Sequence, residues 1–426
     1  MTPAVRRVCG ATAIAALTLW AAWPGLFPSP APGFAVPVSH PAGIDEARIF
    51  SALPSETPPP QVHAASLAEL PDGELAAVWF GGTREGSSDV RIFGMRGEPQ
   101  ADGGTHWELP EAIVTPEKTG AGLRRWVRKL GNPVILTTPR GERWLVYVSA
   151  TLGGWATSRL NLLRQGVHAP ERLVTSPFFN MSTLVKGAPI FFDNGDIGVP
   201  MYHELAGKFG ELLVLAPNGK VRRKVRLAHG RRTLQPVVLV EDAAHAVALM
   251  RDARHEPPRV WRSETADAGR HWRAPETTDL PNPNSALGAL RLDDGRMLAI
   301  ANDTEGERLR LSLLVSEDRG QHWRLIHRFE DRQENLAAPL SAAVFRARLA
   351  ADLATAGPRR APLEATANDV MQNACRHDQC NWRYDYPYFV RAADGDFHLV
   401  YTWNGTFIRY IRFNAAWLQA RLGAAR

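Results

Sequence analysis

The sequence predicts an all-β fold, a six-bladed β-propeller. Three observations predict it: a hairpin grammar recurring along the chain, a repeat spacing of roughly 50 residues, and a turn motif that returns in step with the hairpins. Each hairpin reads as a Pro or small residue, an apolar run, a turn and a second apolar run. In order they are Ala65–Trp79, Asn132–Tyr147, Ala188–Pro200, Gln235–Leu249, Ser285–Ile300 and Tyr386–Tyr401. Apolar runs broken by Asp-Gly or Asn-Gly, as at Asp72-Gly73, Asn194-Gly195 and Asp394-Gly395, are the sequence form of an antiparallel hairpin. One such hairpin cannot bury its own faces, so a repeat of this period implies blades stacked in a ring. Six units predict six blades.

The turn motif occurs at Asp102-Gly-Gly-Thr-His-Trp107, Asp267-Ala-Gly-Arg-His-Trp272 and Asp318-Arg-Gly-Gln-His-Trp323. Thr265 and Ser316 extend the last two to Ser/Thr-x-Asp-x-Gly-x-x-Trp. The Asp side chain is suited to cap backbone N–H groups, the Gly to a positive φ, and the Trp to packing between blades. The motif is therefore a structural turn between outer strands, remote from chemistry.

With three such turns in register with the hairpins, residues 60 to 414 resemble the sialidase-like (BNR, or Asp-box) propeller superfamily. The resemblance implies a glycoside hydrolase acting on an acidic sugar. It also implies an arginine clamp on the substrate carboxylate, because a planar guanidinium grips a carboxylate bidentately. Residue by residue, Arg251 matches the family arginine that ends the second strand of the fourth hairpin. Arg308, eight residues before Ser316, matches the one that precedes a turn motif. Tyr386 matches the nucleophilic tyrosine opening the last hairpin, and Arg84 with Glu85 or Asp89 matches the arginine and acid that follow the first.

Two family positions are changed. His63-Ala-Ala-Ser66 stands where the first arginine is expected, and Gln235 replaces the glutamate that activates the tyrosine. An amide is no base; Glu204 is the acid placed to substitute. Polar residues also precede the apolar runs where strands open towards the axis: His63, Lys129, Asn132, Lys186, Gln235, Asn284, Asp385 and Tyr386. Taken as a set they define a polar axial pocket. The expected site thus has Tyr386, Asp89, Glu85 and Glu204 as catalytic groups, and Arg84, Arg251, Arg308, His63, Lys129, Asn132, His203, Gln235 and Asp385 as substrate-binding groups. Neither a cofactor nor a metal is called for. A polysaccharide lyase on uronate-containing glycans is the alternative from another chemical class, with His63 or His203 as base. A non-catalytic propeller that binds carbohydrate or protein is the third reading.

The remaining segments fit an exported protein. Arg6-Arg7 precedes an uncharged apolar run from Val8 to Phe27, which suits a signal peptide or a single inner-membrane anchor. Residues 1–35 are read as this segment plus a Pro-rich linker, 36–414 as the propeller, and 415–426 as a helical tail. Residues 331–380, rich in Ala and Arg, lack the hairpin grammar and are read as a partly helical insertion capping the pocket. At its end, the C-x4-C spacing of Cys375 and Cys380 suits a local disulfide in an oxidising compartment. Net charge is +6, from 50 basic and 44 acidic residues. Basic clusters such as Arg222-Arg-Lys224 and Arg231-Arg232 are short and carry no interleaved aromatics, so nucleic acid is not an expected partner.

Overall fold

Continuous burial of the hairpin strands, on both faces, dictates sheets stacked against sheets. The computed structural model describes residues 31–424 apart from 38, 42–44, 55–59, 177–179, 206, 230–231, 254–255, 333–337 and 356–361. Six antiparallel sheets form the blades of a propeller. Blade 1 starts with Gln61–Glu69, Leu75–Gly82 and Arg91–Pro99, and blade 2 runs Lys129–Thr137, Arg143–Ala150, Arg159–Arg164 and Glu171–Arg172. Blade 3 has a broken inner strand (Thr183–Val185, Ile190–Phe191), then Ile197–His203, Phe209–Leu215 and Val221–Arg226. Blade 4 holds Thr233–Val240, Ala246–Asp252, Arg259–Thr265 and Glu276–Pro281; blade 5 holds Gly288–Arg291, Met297–Ala301, Arg310–Ser316 and Arg324–Asp331. Blade 6 is Tyr384–Arg391, Phe397–Trp403 and Phe407–Phe413, completed by the early strand Ile49–Ala52, which pairs with Phe407–Phe413 and closes the ring.

The core lies between blades. Val134, Val146 and Leu160 of blade 2 pack with Val199, Met201 and Leu213 of blade 3, and Val238 and Met250 of blade 4 pack with Leu212 and Val214 of blade 3. Each such fully buried side chain contributes about 1.5–3 kcal/mol. The turn motifs join the third and fourth strands of blades 1, 4 and 5. In blade 5 the Asp318 carboxylate accepts from Ser316 Oγ and the His322 N–H at 2.8 and 2.9 Å, and Gly320 takes φ +85°. As the spacing predicts, they sit on the lower face, with the hairpin turns.

Inner strands begin at the upper face. There, blades 1, 2, 4 and 6 share one β-bulge, an extra residue between His63 and Ser66, Gly131 and Val134, Leu234 and Val237, and Asp385 and Tyr388. At each bulge a non-glycine residue is left-handed: Ala64 (φ 52°), Asn132 (41°), Gln235 (47°) and Tyr386 (55°). Asn284 (52°) holds the matching place in blade 5. In blade 3 it is Gly187 (φ 103°), where a Cβ would come 2.4 Å from the Pro236 carbonyl oxygen. The repeated Pro or small residue after these positions (Ala65, Pro133, Ala188, Pro236, Ser285, Pro387) is the sequence mark of the left-handed residue.

The insertion contributes two helices, α2 (Ala342–Thr355) and α3 (Leu363–Ala374), and a disulfide-linked hairpin of Cys375–Arg376 with Gln379–Cys380. A shorter helix, α1 (Pro116–Leu123), links blades 1 and 2 on the upper face, and α4 (Ala415–Ala424) packs below against Phe329 and Phe413 through Trp417. Packing starts before residue 36: Phe34 is 1 % exposed and donates its N–H to the Ala243 carbonyl. Among the described residues no helix is long and apolar enough to cross a membrane; the apolar run 8–27 lies outside them.

Candidate functional site

A left-handed residue at a bulge turns its side chain out of the ladder, which is how polar groups from different blades reach the axis. Asn132 Nδ2 donates to the Tyr202 hydroxyl at 2.8 Å, and Gln235 Nε2 donates to the same oxygen at 3.3 Å. Arg251 Nη1 donates to Gln235 Oε1 at 2.8 Å and to the Tyr386 hydroxyl at 3.0 Å, while its Nε donates to Asn284 Oδ1 at 2.8 Å. The His63 ring packs edge-on to Tyr386, centroids 4.2 Å apart. Residues of all six blades are thereby gathered at one mouth, and Tyr386, Arg251, Gln235, Asn132 and His63 are among those expected there.

The electrostatics of the mouth follow from who pairs with whom. Arg251 is held by neutral acceptors only, and its Nη2 has no partner among the described residues. Arg308, by contrast, is ion-paired: its Nη1 lies 2.6 Å from Asp385 Oδ1, and its Nη2 donates to the Asn284 carbonyl. Asp385 also holds Arg383 at 2.5 Å. Burial pushes the Asp385 carboxyl up, but Arg308, Arg383 and His63 hold it below the usual range. The His63 imidazole is lowered to about 4, chiefly by burial. Burial also raises the Tyr202 hydroxyl well above an ordinary tyrosine, with Tyr386 and Glu204 adding to it.

Beneath the mouth, Lys186 is buried and reaches across the axis. Its Nζ donates to the Ala65 carbonyl at 3.2 Å and to the Tyr386 carbonyl at 3.5 Å, and lies 4.9 Å from the Tyr388 ring centroid. With no carboxylate bound to it among the described residues, burial lowers its ammonium to about 7.

Other expected residues fall elsewhere. Asp89 is an exposed loop staple, its Oδ2 accepting from Thr83 N–H and Oγ1 at 2.8 and 2.6 Å. Arg84 is exposed on the same loop. Glu85 is the acid whose charge reaches the mouth, where it acts on His63, Lys129 and Arg308. Lys129 lies on the rim, its Nζ 4.2 Å from the Trp155 ring centroid. His203 stacks on Phe209, centroids 5.0 Å apart, and feels Lys224 and Arg226 of the outer strand rather than Tyr386. Glu204 neighbours Tyr202, and its N–H is held by Ser182 Oγ.

Beside the mouth a cleft of about 690 Å³ is lined by Arg308 and Arg383 on one side and by Asn373, Arg376, Gln379 and Asn381 of the insertion on the other. The disulfide hairpin thus forms one wall. Among the described residues no group of three or more His, Cys, Asp or Glu is arranged to hold a metal ion.

The sequence pattern puts Lys186 and Asn284 in the axial set without a substrate-binding role, and leaves Tyr202, Arg383 and Trp155 unassigned. Tyr202 has a readable signal: like Arg251, it is a polar residue closing an otherwise apolar second strand.

The pattern of the BNR repeat-like domain matches residues 73–399. No curated protein matches the sequence. Among solved structures, a Hadza microbial sialidase, Hz136, is similar with a TM-score of 0.57 at 14 % identity, over 82 % of this chain and 65 % of that one. The chain therefore spans just under two thirds of that relative. The leech intramolecular trans-sialidase matches with a TM-score of 0.57 at 9 % identity, over 89 % and 71 % of the two chains. A Dyadobacter fermentans protein of unknown function matches with 0.56 at 13 % identity, over 86 % and 99 %. At these identities the likeness is one of fold.

Proposed function

From the premise that the chain belongs to the BNR repeat-like domain family, we propose that it is a glycoside hydrolase of the sialidase type, acting on an acidic sugar seated at the axial mouth. One observation carries this reading: a guanidinium, Arg251, 3.0 Å from the Tyr386 hydroxyl, whose charge is met only by neutral acceptors and whose Nη2 is unused among the described residues. An uncompensated, half-buried cation favours an anionic ligand, and its free edge suits a carboxylate. Arg308 is the weaker half of the clamp, because Asp385 already neutralises it.

In this reading Glu85 protonates the departing oxygen as the glycosidic bond breaks, the Tyr386 oxygen stabilises the cationic anomeric carbon, and the Glu85 carboxylate then takes a proton from the water that adds there. Gln235 takes no proton. Its role is to fix Arg251 and Tyr202, while Arg251 donates an N–H to the phenolic oxygen and orients it. A lyase on uronate-containing glycans is the second reading, favoured by the neutral His63 ring packed on Tyr386 and by the amide at Gln235.

The test pairs a fluorogenic sialoside with a panel of uronate polymers, read for released sugar and for ultraviolet absorbance. Sugar release that falls about 100-fold or more in Arg251→Ala, and likewise in Tyr386→Phe, is the expected result. Rising absorbance without release moves the chain to the lyases. No turnover on any substrate, with binding retained, leaves a carbohydrate-binding propeller.

A further inference from the structure

On the upper rim between blades 1 and 2, three arginines meet without an acid. Arg172 stands opposite Asn161 in the strand register, and Arg159 lies two residues from Asn161 on the same face. Diagonal neighbours of this kind are about 7–8 Å apart, within reach of long side chains. Arg125 arrives from the end of α1, where Arg124 is left-handed (φ 50°) and the Arg125 N–H returns to the Gly120 carbonyl at 3.0 Å. That end of α1 packs closely on the segment before Arg172: a Cβ on Gly122 would lie 2.6 Å from Pro170.

Arg125 Nη1 and Arg159 Nε are enclosed from solvent and have no hydrogen-bond partner among the described residues. None of the three arginines has a carboxylate partner among the described residues, since Glu171 pairs with Arg164 and Glu117 turns to Thr115. Burial, and then Arg159 and Arg172, lower the proton affinity of Arg125, as expected of cations crowded together without counterions. Folding has kept repelling charges that it does not use. Arg125, Trp126 and Arg128 line a cleft of about 380 Å³ against α1. Trp126 is 59 % exposed, and Lys129 over Trp155 continues the band towards the axis.

We propose that Arg125, Arg159 and Arg172 form a second anion subsite, taking a sulfate or phosphate ester carried by the same glycan whose acidic sugar occupies the axial mouth. This rests on the reading above and narrows it: the substrate is a polyanionic chain, gripped at two points of one face. Three forked guanidiniums supply more donors than a single carboxylate accepts, which is why an ester with three free oxygens is the better match.

The experiment is a calorimetric titration of the full chain with three probes: a size-defined sulfated hexasaccharide, sodium sulfate, and phosphatidylglycerol vesicles. A monoacidic methyl glycoside is titrated in parallel to report on the axial mouth. The hexasaccharide is expected to bind, more weakly as salt rises, and to lose at least about tenfold in affinity in Arg125→Gln/Arg172→Gln. Without ligand the double variant should melt at or above the wild-type temperature, because repulsion is relieved. Arg172→Glu, an exposed single change, repeats the test should the double variant fold poorly. Equal hexasaccharide affinity in wild type and either variant overturns the subsite. So does binding of sulfate alone with no gain from the hexasaccharide, or capture of vesicles in place of the glycan. Failure of the axial reading shows separately, as a methyl glycoside that does not bind or that binds equally to Arg251→Ala.

Discussion

Lys186 crosses the axis under Tyr386, tying the bulge carbonyls of blades 1 and 6 to blade 3. Its ammonium loses its proton near pH 7 in the folded chain against 10.5 for an ordinary lysine. Between those values the unfolded chain binds the extra proton, so stability rises with pH; below about 7 the penalty is constant. Lys186→Met is therefore expected to raise the melting temperature more at pH 6 than at pH 9.5, relative to wild type. A gain that does not change with pH would mean that the amine is solvated. Gln235 teaches a different point at this scale. As a glutamate it would give Arg251 a counterion; as an amide it leaves that charge unneutralised and supplies no base. Asn132 and Asn284 tolerate left-handed backbone, but Tyr386 does so at a cost of about 1–2 kcal/mol, and nothing in the identity of a tyrosine announces it.

At the scale of elements, the hairpins were legible because strands buried on both faces read as continuous apolar runs, and the turn motifs because Asp, Gly and Trp each have a distinct mechanical task. In the Asp318 turn the carboxyl is brought to about 2: burial pushes it up, but the His322 N–H and ring and the Ser316 hydroxyl outweigh that. Its stabilisation is present above pH 3.8 and is lost as pH falls towards 2. Asp318→Ala should cost about 1 kcal/mol at pH 7, reduced by the turn's exposure, with a smaller loss at pH 2 and no effect on glycan binding. Urea melts at the two pH values check it. What stayed illegible was register. Whether the axial residue of a blade is the one before the Pro or two or three earlier depends on the bulge, so the candidates mixed His63 and Lys129 with Asn132 and Tyr386. In blade 3 the matching position is Gly187, and the neighbouring strand supplies Tyr202 instead. The rim arginines escaped notice because they come from a helix end and two outer strands, which only the crossover over blade 2 brings together.

For the whole molecule, the decisive contact is the one between its ends. Ile49–Ala52 completes blade 6, and the segment before it runs along the lower face, bridging Phe34 to Phe192 of blade 3, donating to Ala243 of blade 4 and placing His40 on Asp293 of blade 5. Deleting residues 31–52 removes both the closing strand and this strap. The product is expected to aggregate or to melt non-cooperatively, whereas a chain starting at residue 31 should melt as one unit; scanning calorimetry distinguishes the two. The six-fold ring followed from counting hairpins, but its closure did not, because a four-residue strand far from any repeat carries no grammar. The same routing has a geometric consequence. The strap and α4 both lie on the face opposite the mouth, so a tether at either end, natural or engineered, holds the propeller by its base. Such a protein would stand on a surface like a cup on a table, open towards whatever chains drift above it, and coupling it to a support through either end would leave the opening unobstructed.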